Sequence, residues 1–146
     1  MHFLVYERIR NDAGRTTMIC VDSYENGVPK GRFYNYGRPD EGQKFSSLMQ
    51  LIVSMEQILD SANYPQSFTA VRTFAVPSEP KTAELVDAQN RKGALATFVV
   101  KVLFRQHTSW QGSVSWQEAK SEMPFRSVLE LILLMESALS SAEKSE

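Results

Sequence analysis

Two segments of the chain carry the hydrophobic period of an amphipathic helix. Apolar residues recur at intervals of three and four along residues 45–62 and again along residues 125–142. This spacing places one buried stripe on each helix. A second, narrower apolar strip runs beside each stripe, and it predicts that the helices also contact each other or another subunit. The second strip consists of Met49, Val53, Leu129 and Leu133.

The two helical segments also match each other residue by residue. They align without a gap when Phe45 is set against Phe125, and the alignment then pairs Glu56 with Glu136. Similar helices can arise by chance, but this match continues into the segments that precede them. We therefore predict an internal duplication. Further identities include Val21/Val102, Gly31/Gly112, Leu51/Leu131 and Met55/Met135.

Alternating apolar and polar residues predict strands ahead of each helix. Residues 97–105 alternate between a core face and a mixed face. The core face has Phe98, Val100, Val102 and Phe104, and the mixed face has Val99, Lys101, Leu103 and Arg105. In the first half the corresponding strands flank a turn-rich stretch that contains the strong turn signal Asn26-Gly27. The predicted strands are residues 3–10, 16–22, 32–36, 68–74, 97–105 and 112–117.

This order of elements predicts an α+β fold in a single domain, residues 1–146. Two helices on one face of an antiparallel sheet would form a two-layer sandwich. It would be built from a duplicated β-β(-β)-α unit with pseudo-two-fold symmetry, and the repeats would span about 1–63 and 67–142. Prolines and charged residues predict a solvated insertion at 77–93, either a mobile connection or a flap, with a short helix at 82–89.

Composition and charge narrow the class of protein. Hydrophobic residues make up 42%, charged residues 23%, and the formal net charge is −1, so no overall field favours nucleic acid or anionic lipid. No signal peptide or membrane span is recognisable. We expect a cytoplasmic bacterial protein that does not bind a membrane. Cys20, the single cysteine, lies in an apolar run and is predicted to be a buried thiol, with a reactive thiol as the alternative.

Residues with catalytic or metal-binding chemistry are few. The two histidines, His2 and His107, each lack a second metal ligand nearby, and no phosphate-binding loop or nucleophile elbow is present. Glu56 and Glu136 occupy matching helix positions and could act as paired carboxylates, but helix-edge glutamates are the favoured interpretation. We therefore predict no catalytic, cofactor-binding or metal residue, and no cofactor.

The predicted turn after residues 97–105 is the more suggestive binding region. Trp110 would lie in this turn, where a large exposed ring suggests a stacking surface for a ligand or partner, with Arg105 and Gln111 as polar contacts. The favoured interpretation, however, is that Trp110 folds back onto the domain.

The first half offers a second candidate surface. Alternation would place Arg32, Tyr34 and Tyr36 on one sheet face, and aromatic residues interleaved with arginine on an open sheet can stack nucleic-acid bases. The neutral overall charge weakens that interpretation, because phosphate contacts supply much of the affinity for nucleic acid.

Several stretches resemble small uncharacterised proteins of Firmicutes bacteria, some of which consist of a single strand–strand–helix unit. These stretches are GRFYN at 31–35, FTA at 68–70, SWQG at 109–112 and FRSVLEL at 125–131. The resemblance implies no activity, ligand or catalytic residue. It implies that single units would pair as homodimers and that this chain would be the fused version.

The sequence therefore favours a non-enzymatic protein-interaction module, acting through the open sheet face or the apolar helix flank. Its partner would be another protein or a second copy of the chain. Nucleic-acid or nucleotide binding through the aromatic–arginine face is the alternative, and an enzyme acting on a small molecule would require a deep pocket.

Overall fold

A computed structural model of the protein describes residues 13–62, 85–86, 91–106 and 109–144. Within these ranges the fold is α+β, as predicted, with an open antiparallel sheet and two long helices. The elements in chain order are β1 (Thr16–Glu25), β2 (Val28–Asn35), β3 (Gly42–Phe45), α1 (Leu48–Ala62), β4 (Leu85–Val86), β5 (Ala96–Gln106), β6 (Ser109–Trp116), β7 (Ser121–Phe125) and α2 (Val128–Lys144).

All seven strands described belong to one sheet, in the order β4-β3-β2-β1-β5-β6-β7. β1 and β5 lie side by side at its centre, and Met18 is opposite Val99 in the middle of their register. Each central strand continues outward through its hairpin partner to a third strand, and a helix follows that strand. The same β-β-β-α order is therefore present twice.

The first hairpin is longer than predicted. The stretch taken as a turn-rich loop is mostly strand, because the turn is confined to Asn26 and Gly27, which have φ angles of 55° and 74°. Two consecutive residues with positive φ make the tight turn that matches the twist of antiparallel strands. Strand pairing consequently continues to Glu25↔Val28.

The third strand of each segment was not predicted where it lies. Sequence patterns placed additional strands at residues 3–10 and 68–74, both outside the described residues. The described third strands, β3 and β7, come after the hairpins instead. They are only four and five residues long, which is too short to show a clear alternation. Pro124 also argues against a strand in the sequence, because proline is tolerated in a sheet mainly on an edge strand. β7 is the last strand in the described order.

The two hairpins share the same register and the same irregularity. Val21 is opposite Gly31 in the first hairpin, and Val102 is opposite Gly112 in the second. In each, the register shifts immediately after that pair. In β5 the shift reverses the predicted faces of Phe104 and Arg105, so Phe104 is 57% exposed and Arg105 is buried against α1. A Cβ atom at either glycine would lie 1.9 Å from a carbonyl oxygen of the neighbouring strand, so both positions require glycine. Those carbonyls belong to Cys20 and Lys101.

Both helices begin at a serine. The Ser47 hydroxyl accepts a hydrogen bond from the Gln50 amide, and the Ser127 hydroxyl accepts one from the Glu130 amide, each at 3.1 Å. The predicted stripes of the two helices are buried in one hydrophobic core with the facing side of the sheet, here called the helix face. Core residues of the helices are Leu51, Met55, Leu59, Leu131, Met135 and Leu139.

Residues near the end of the predicted insertion lie on the opposite side of the sheet, here called the open face. The Lys92 carbonyl accepts a hydrogen bond from Arg32 at 2.8 Å, and the Ala94 amide donates one to Asp22 at 3.0 Å. Earlier in the insertion, Leu85–Val86 forms a strand that pairs with β3, so the helix predicted at 82–89 is wrong there.

Candidate functional site

The six candidate surface residues do not lie together. Arg32 is opposite Cys20 in the sheet and lies on the open face, beside Tyr34. Arg105 and Trp110 are opposite each other and lie on the helix face. The structure therefore separates the candidates into two groups on opposite sides of the sheet.

Arg32 is held by an ion pair. Its guanidinium donates hydrogen bonds to both carboxylate oxygens of Asp22, each at 3.1 Å, as well as to the Lys92 carbonyl. Burial by itself would lower the pKa of Arg32, but the hydrogen bond and charge of Asp22 outweigh it and raise that pKa. The Arg32 charge is thus already neutralised within the protein.

Tyr34 is covered, whereas Tyr36 is not. The Tyr34 side chain is only 1% exposed, and the Arg91 guanidinium lies 5.4 Å from the centroid of its ring. Tyr36 is 41% exposed and follows the end of β2. The predicted alternating face therefore provides one accessible aromatic ring, not a stacking platform of two.

Arg105 and Trp110 are interior residues, each 1% exposed. Trp110 belongs to β6, so its predicted placement in a turn is wrong. Its ring folds back onto α1, as the favoured interpretation has it, and does not form an exposed stacking surface. Its indole N–H donates to the Glu56 carboxylate. Arg105 donates to Glu56 at 2.9 Å and to Asp60 at 2.7 Å, so the buried charge is paired twice.

The sequence did not reveal the partners of this cluster. The sequence predicts a helix-edge position for Glu56, and no motif points to Asp60. Both lie more than forty positions before Arg105 in the chain. They become hydrogen-bond partners of Arg105 and Trp110 only because α1 packs over the second hairpin. The hint available in the sequence was the matching pair of Glu56 and Glu136.

Gln111 is partly buried, and its Oε1 atom has no hydrogen-bond partner among the described residues. Because it directly follows Trp110 on β6, its side chain points to the opposite face of the sheet. Gln111 therefore does not join the cluster of Arg105 and Trp110.

The corresponding place in the first hairpin is a cavity. Tyr24 is opposite Pro29 just as Arg105 is opposite Trp110, one pair before the turn in both hairpins. Here the smaller side chains leave a cavity of about 180 Å³ against α2. Glu136, which aligns with Glu56, lies in its wall. Other lining residues include Leu48, Ile132, Met135 and Leu139.

A broader, more polar groove of about 440 Å³ lies beside β2 and β3, near the start of α1. Its cationic residues are Lys30, Arg32 and Lys44, and Asp22 supplies a carboxylate. The second segment has Gln111, Ser113 and Pro124 at the positions that align with these three cations. The basic character is therefore confined to the first segment.

The surplus apolar strip on the helices is exposed. Its four residues are 49–77% accessible, and they repeat at the same two positions on both helices. Large exposed aliphatic residues that repeat at matching positions of two helices can mark an interaction surface. We call this set the outward helix face: Met49 at 77%, Val53 at 49%, Leu129 at 64% and Leu133 at 54%.

Cys20 is fully buried, and burial raises the pKa of its thiol to about 11, above the ordinary value of 9.0. Within the described ranges, no group of three or more potential metal-ligating side chains is present. Among the helices described, none is both long and apolar enough to cross a membrane.

Comparisons with known proteins give no further guide. The chain matches no protein-family model, no curated protein and no solved structure.

Proposed function

We propose that this chain is a protein-interaction module that associates with a second copy of itself through the outward helix face. The observation that carries the proposal is the exposure of four large aliphatic side chains at matching positions of two neighbouring elements. Burying one such side chain completely contributes about 1.5–3 kcal/mol. A face that presents the same pair of residues twice is suited to a symmetric, self-complementary contact.

Charge is compatible with self-association. The formal net charge is −1, so two copies repel each other only weakly. None of the four side chains on the outward helix face is charged. The Arg105 guanidinium is only 1% exposed and is paired with Glu56 and Asp60, so it presents no positive charge at the surface of α1.

Sedimentation velocity over a range of micromolar concentrations tests this proposal. We expect the wild type to dimerise and the double variant Val53→Glu/Leu133→Glu to remain monomeric, because each new carboxylate would be buried in the contact. The matched control is Gln57→Glu/Ser137→Glu, which adds the same charge at exposed positions of the same helices and should still dimerise.

A wild type that stays monomeric throughout would rule out self-association of the chain. A Val53→Glu/Leu133→Glu variant that dimerises normally would rule out the outward helix face as the dimer contact. Circular dichroism of both variants provides the check that each is folded. A heterologous protein partner would appear as a monomeric wild type with an intact fold.

Nucleotide binding is the second candidate, supported by the groove that contains Lys30, Arg32 and Lys44. Base stacking on the face of Arg32, Tyr34 and Tyr36 is not favoured, because Tyr34 is buried and Arg32 is paired with Asp22. Retention on an immobilised nucleotide at low salt tests the groove, since phosphate contacts are strongest there. We expect Lys30→Gln/Lys44→Gln to abolish any retention, and absence of retention by the wild type would remove this candidate.

We also propose that the two β-β-β-α segments are copies of one ancestral unit, related by a pseudo-two-fold axis through the Met18↔Val99 pair. The matching registers, the matching register shifts and the two glycines at closest approach support the proposal. So does the gapless helix alignment. On this proposal, the resemblance to single-unit Firmicutes proteins would reflect fusion of a homodimer, and the protein would act in the bacterial cytoplasm.

A further inference from the structure

The two hairpin tips present the same backbone to the helices but different side chains. At the second tip, Trp110 and Arg105 fill the space against α1 and engage Glu56. At the first tip, the same register positions hold Pro29 and Tyr24, and a cavity of about 180 Å³ remains against α2. The volume difference between tryptophan and proline accounts for the space.

The chemistry of the cavity resembles that of the filled tip. Its carboxylate, Glu136, has no hydrogen-bond or ion-pair partner within the part of the chain that the structure describes. Glu56, by contrast, accepts from both a guanidinium and an indole. The rest of the cavity wall is mostly apolar, with Leu48, Ile132 and Met135 on the helices.

We propose that this cavity binds a small ligand that combines an aromatic ring with a cationic amidine, guanidine or amine group. The ring would occupy the place that the Trp110 indole fills at the second tip, and the cation would pair with Glu136 as Arg105 pairs with Glu56. The size agrees, because a cavity of about 150 Å³ is sufficient for benzene. Tyr24, which also lines the cavity, adds an aromatic ring that a cation can contact.

The carboxylate gives the site its selectivity. A charge-assisted hydrogen bond is markedly stronger than a neutral one. A neutral aromatic molecule of the same shape would keep the apolar contacts and lose the ion pair. The site should therefore discriminate between benzamidine, which is cationic, and benzamide, which is its neutral isostere.

Titration of the full-length protein by ¹H–¹⁵N NMR tests the proposal, with benzamidine as the probe. We expect saturable shifts at Tyr24, Gly27 and Glu136, and much weaker ones with benzamide. Glu136→Gln should weaken benzamidine binding about tenfold or more. Glu143→Gln removes a carboxylate at another exposed position of α2, and as the matched control it should leave the affinity unchanged.

A second variant fills the cavity without touching Glu136. Tyr24→Arg/Pro29→Trp copies the second tip into the first, and its folded spectrum should show no benzamidine shifts at the site. Equal binding of benzamide and benzamidine, or benzamidine binding unchanged in Glu136→Gln, would overturn the proposal. Absence of saturable shifts in the wild type at millimolar probe would do so as well. These results are independent of whether the outward helix face dimerises.

Discussion

The tips of the two hairpins show how one backbone arrangement can serve two purposes. In both, the register, the shift after the glycine and the glutamate on the overlying helix are the same. The second tip is closed by the buried Trp110 and Arg105, whereas the first is left open beside Tyr24 and Pro29. Closure gives a structural contact between hairpin and helix, and the open tip retains an unpaired carboxylate beside a cavity.

The largest effect is expected when the Trp110 ring that closes the second tip is removed. Trp110→Ala should lower the free energy of unfolding by about 3–5 kcal/mol, because it leaves a large cavity in the core. Pro29→Ala, at the corresponding position, should cost only about 0.4–1 kcal/mol, mainly through a more flexible unfolded chain. Urea unfolding followed by circular dichroism measures both, and equal costs would contradict the assignment of the two tips.

Substitution of the glutamate over the second tip should also cost more stability than substitution of the glutamate over the first tip. Glu56→Gln should cost about 1–3 kcal/mol, because it removes the charge that faces the buried Arg105. Glu136→Gln should change stability by less than about 0.5 kcal/mol, as expected for an exposed residue outside any network. Thermal unfolding of the pair is sufficient. Should Glu136→Gln destabilise as much as Glu56→Gln, the first tip would contain a structural contact and not a free site.

Substitution of Gly31 and Gly112 tests whether the backbones of the two hairpins are alike. Gly31→Ala and Gly112→Ala should each cost about 1–3 kcal/mol and by similar amounts, since both would press a methyl group against a carbonyl at 1.9 Å. Gly14→Ala is the control, with nothing within 4 Å of an added Cβ atom and an expected change below about 0.5 kcal/mol. A large difference between Gly31→Ala and Gly112→Ala in denaturant unfolding would break the comparison.

The smallest effect concerns Cys20, whose counterpart in the alignment is Lys101, exposed on the open face. Because the thiol pKa is about 11 in the folded protein and 9.0 ordinarily, the unfolded chain loses its proton first. Stability should therefore be intact below pH 9 and decline as the pH rises from 9 towards 11. The decline should be shallower in Cys20→Ala, and identical pH profiles would contradict the shifted pKa.

The local sequence pattern was sufficient to predict an element where the element is specified by its own residues. The two helices follow from apolar spacing, and the first turn follows from Asn26-Gly27, whose φ angles suit that turn. The short third strands escaped prediction because they gain their hydrogen bonds from a neighbour and show little alternation of their own. Pro124 in particular is acceptable only because β7 is at the edge.

The candidate site was less predictable for the same reason. Trp110 reads as an exposed turn residue until Glu56, 54 positions earlier, is placed above it. Arg32 reads as a free cation until Asp22 and the Lys92 carbonyl are brought to it. The cavity near Pro29 follows from the absence of a bulky side chain at one tip, which becomes visible only once the two tips can be compared in space.

The α+β class, both helices with their buried and surplus apolar strips, and the similarity of the two halves follow from the amino-acid sequence alone. Each of these depends on periodicity or on direct alignment of residues. Which side chains are exposed depends instead on the three-dimensional fold. Burial of Trp110 and Tyr34, exposure of the outward helix face and the open space beside Glu136 depend on contacts between segments distant in the chain. No local pattern encodes such contacts.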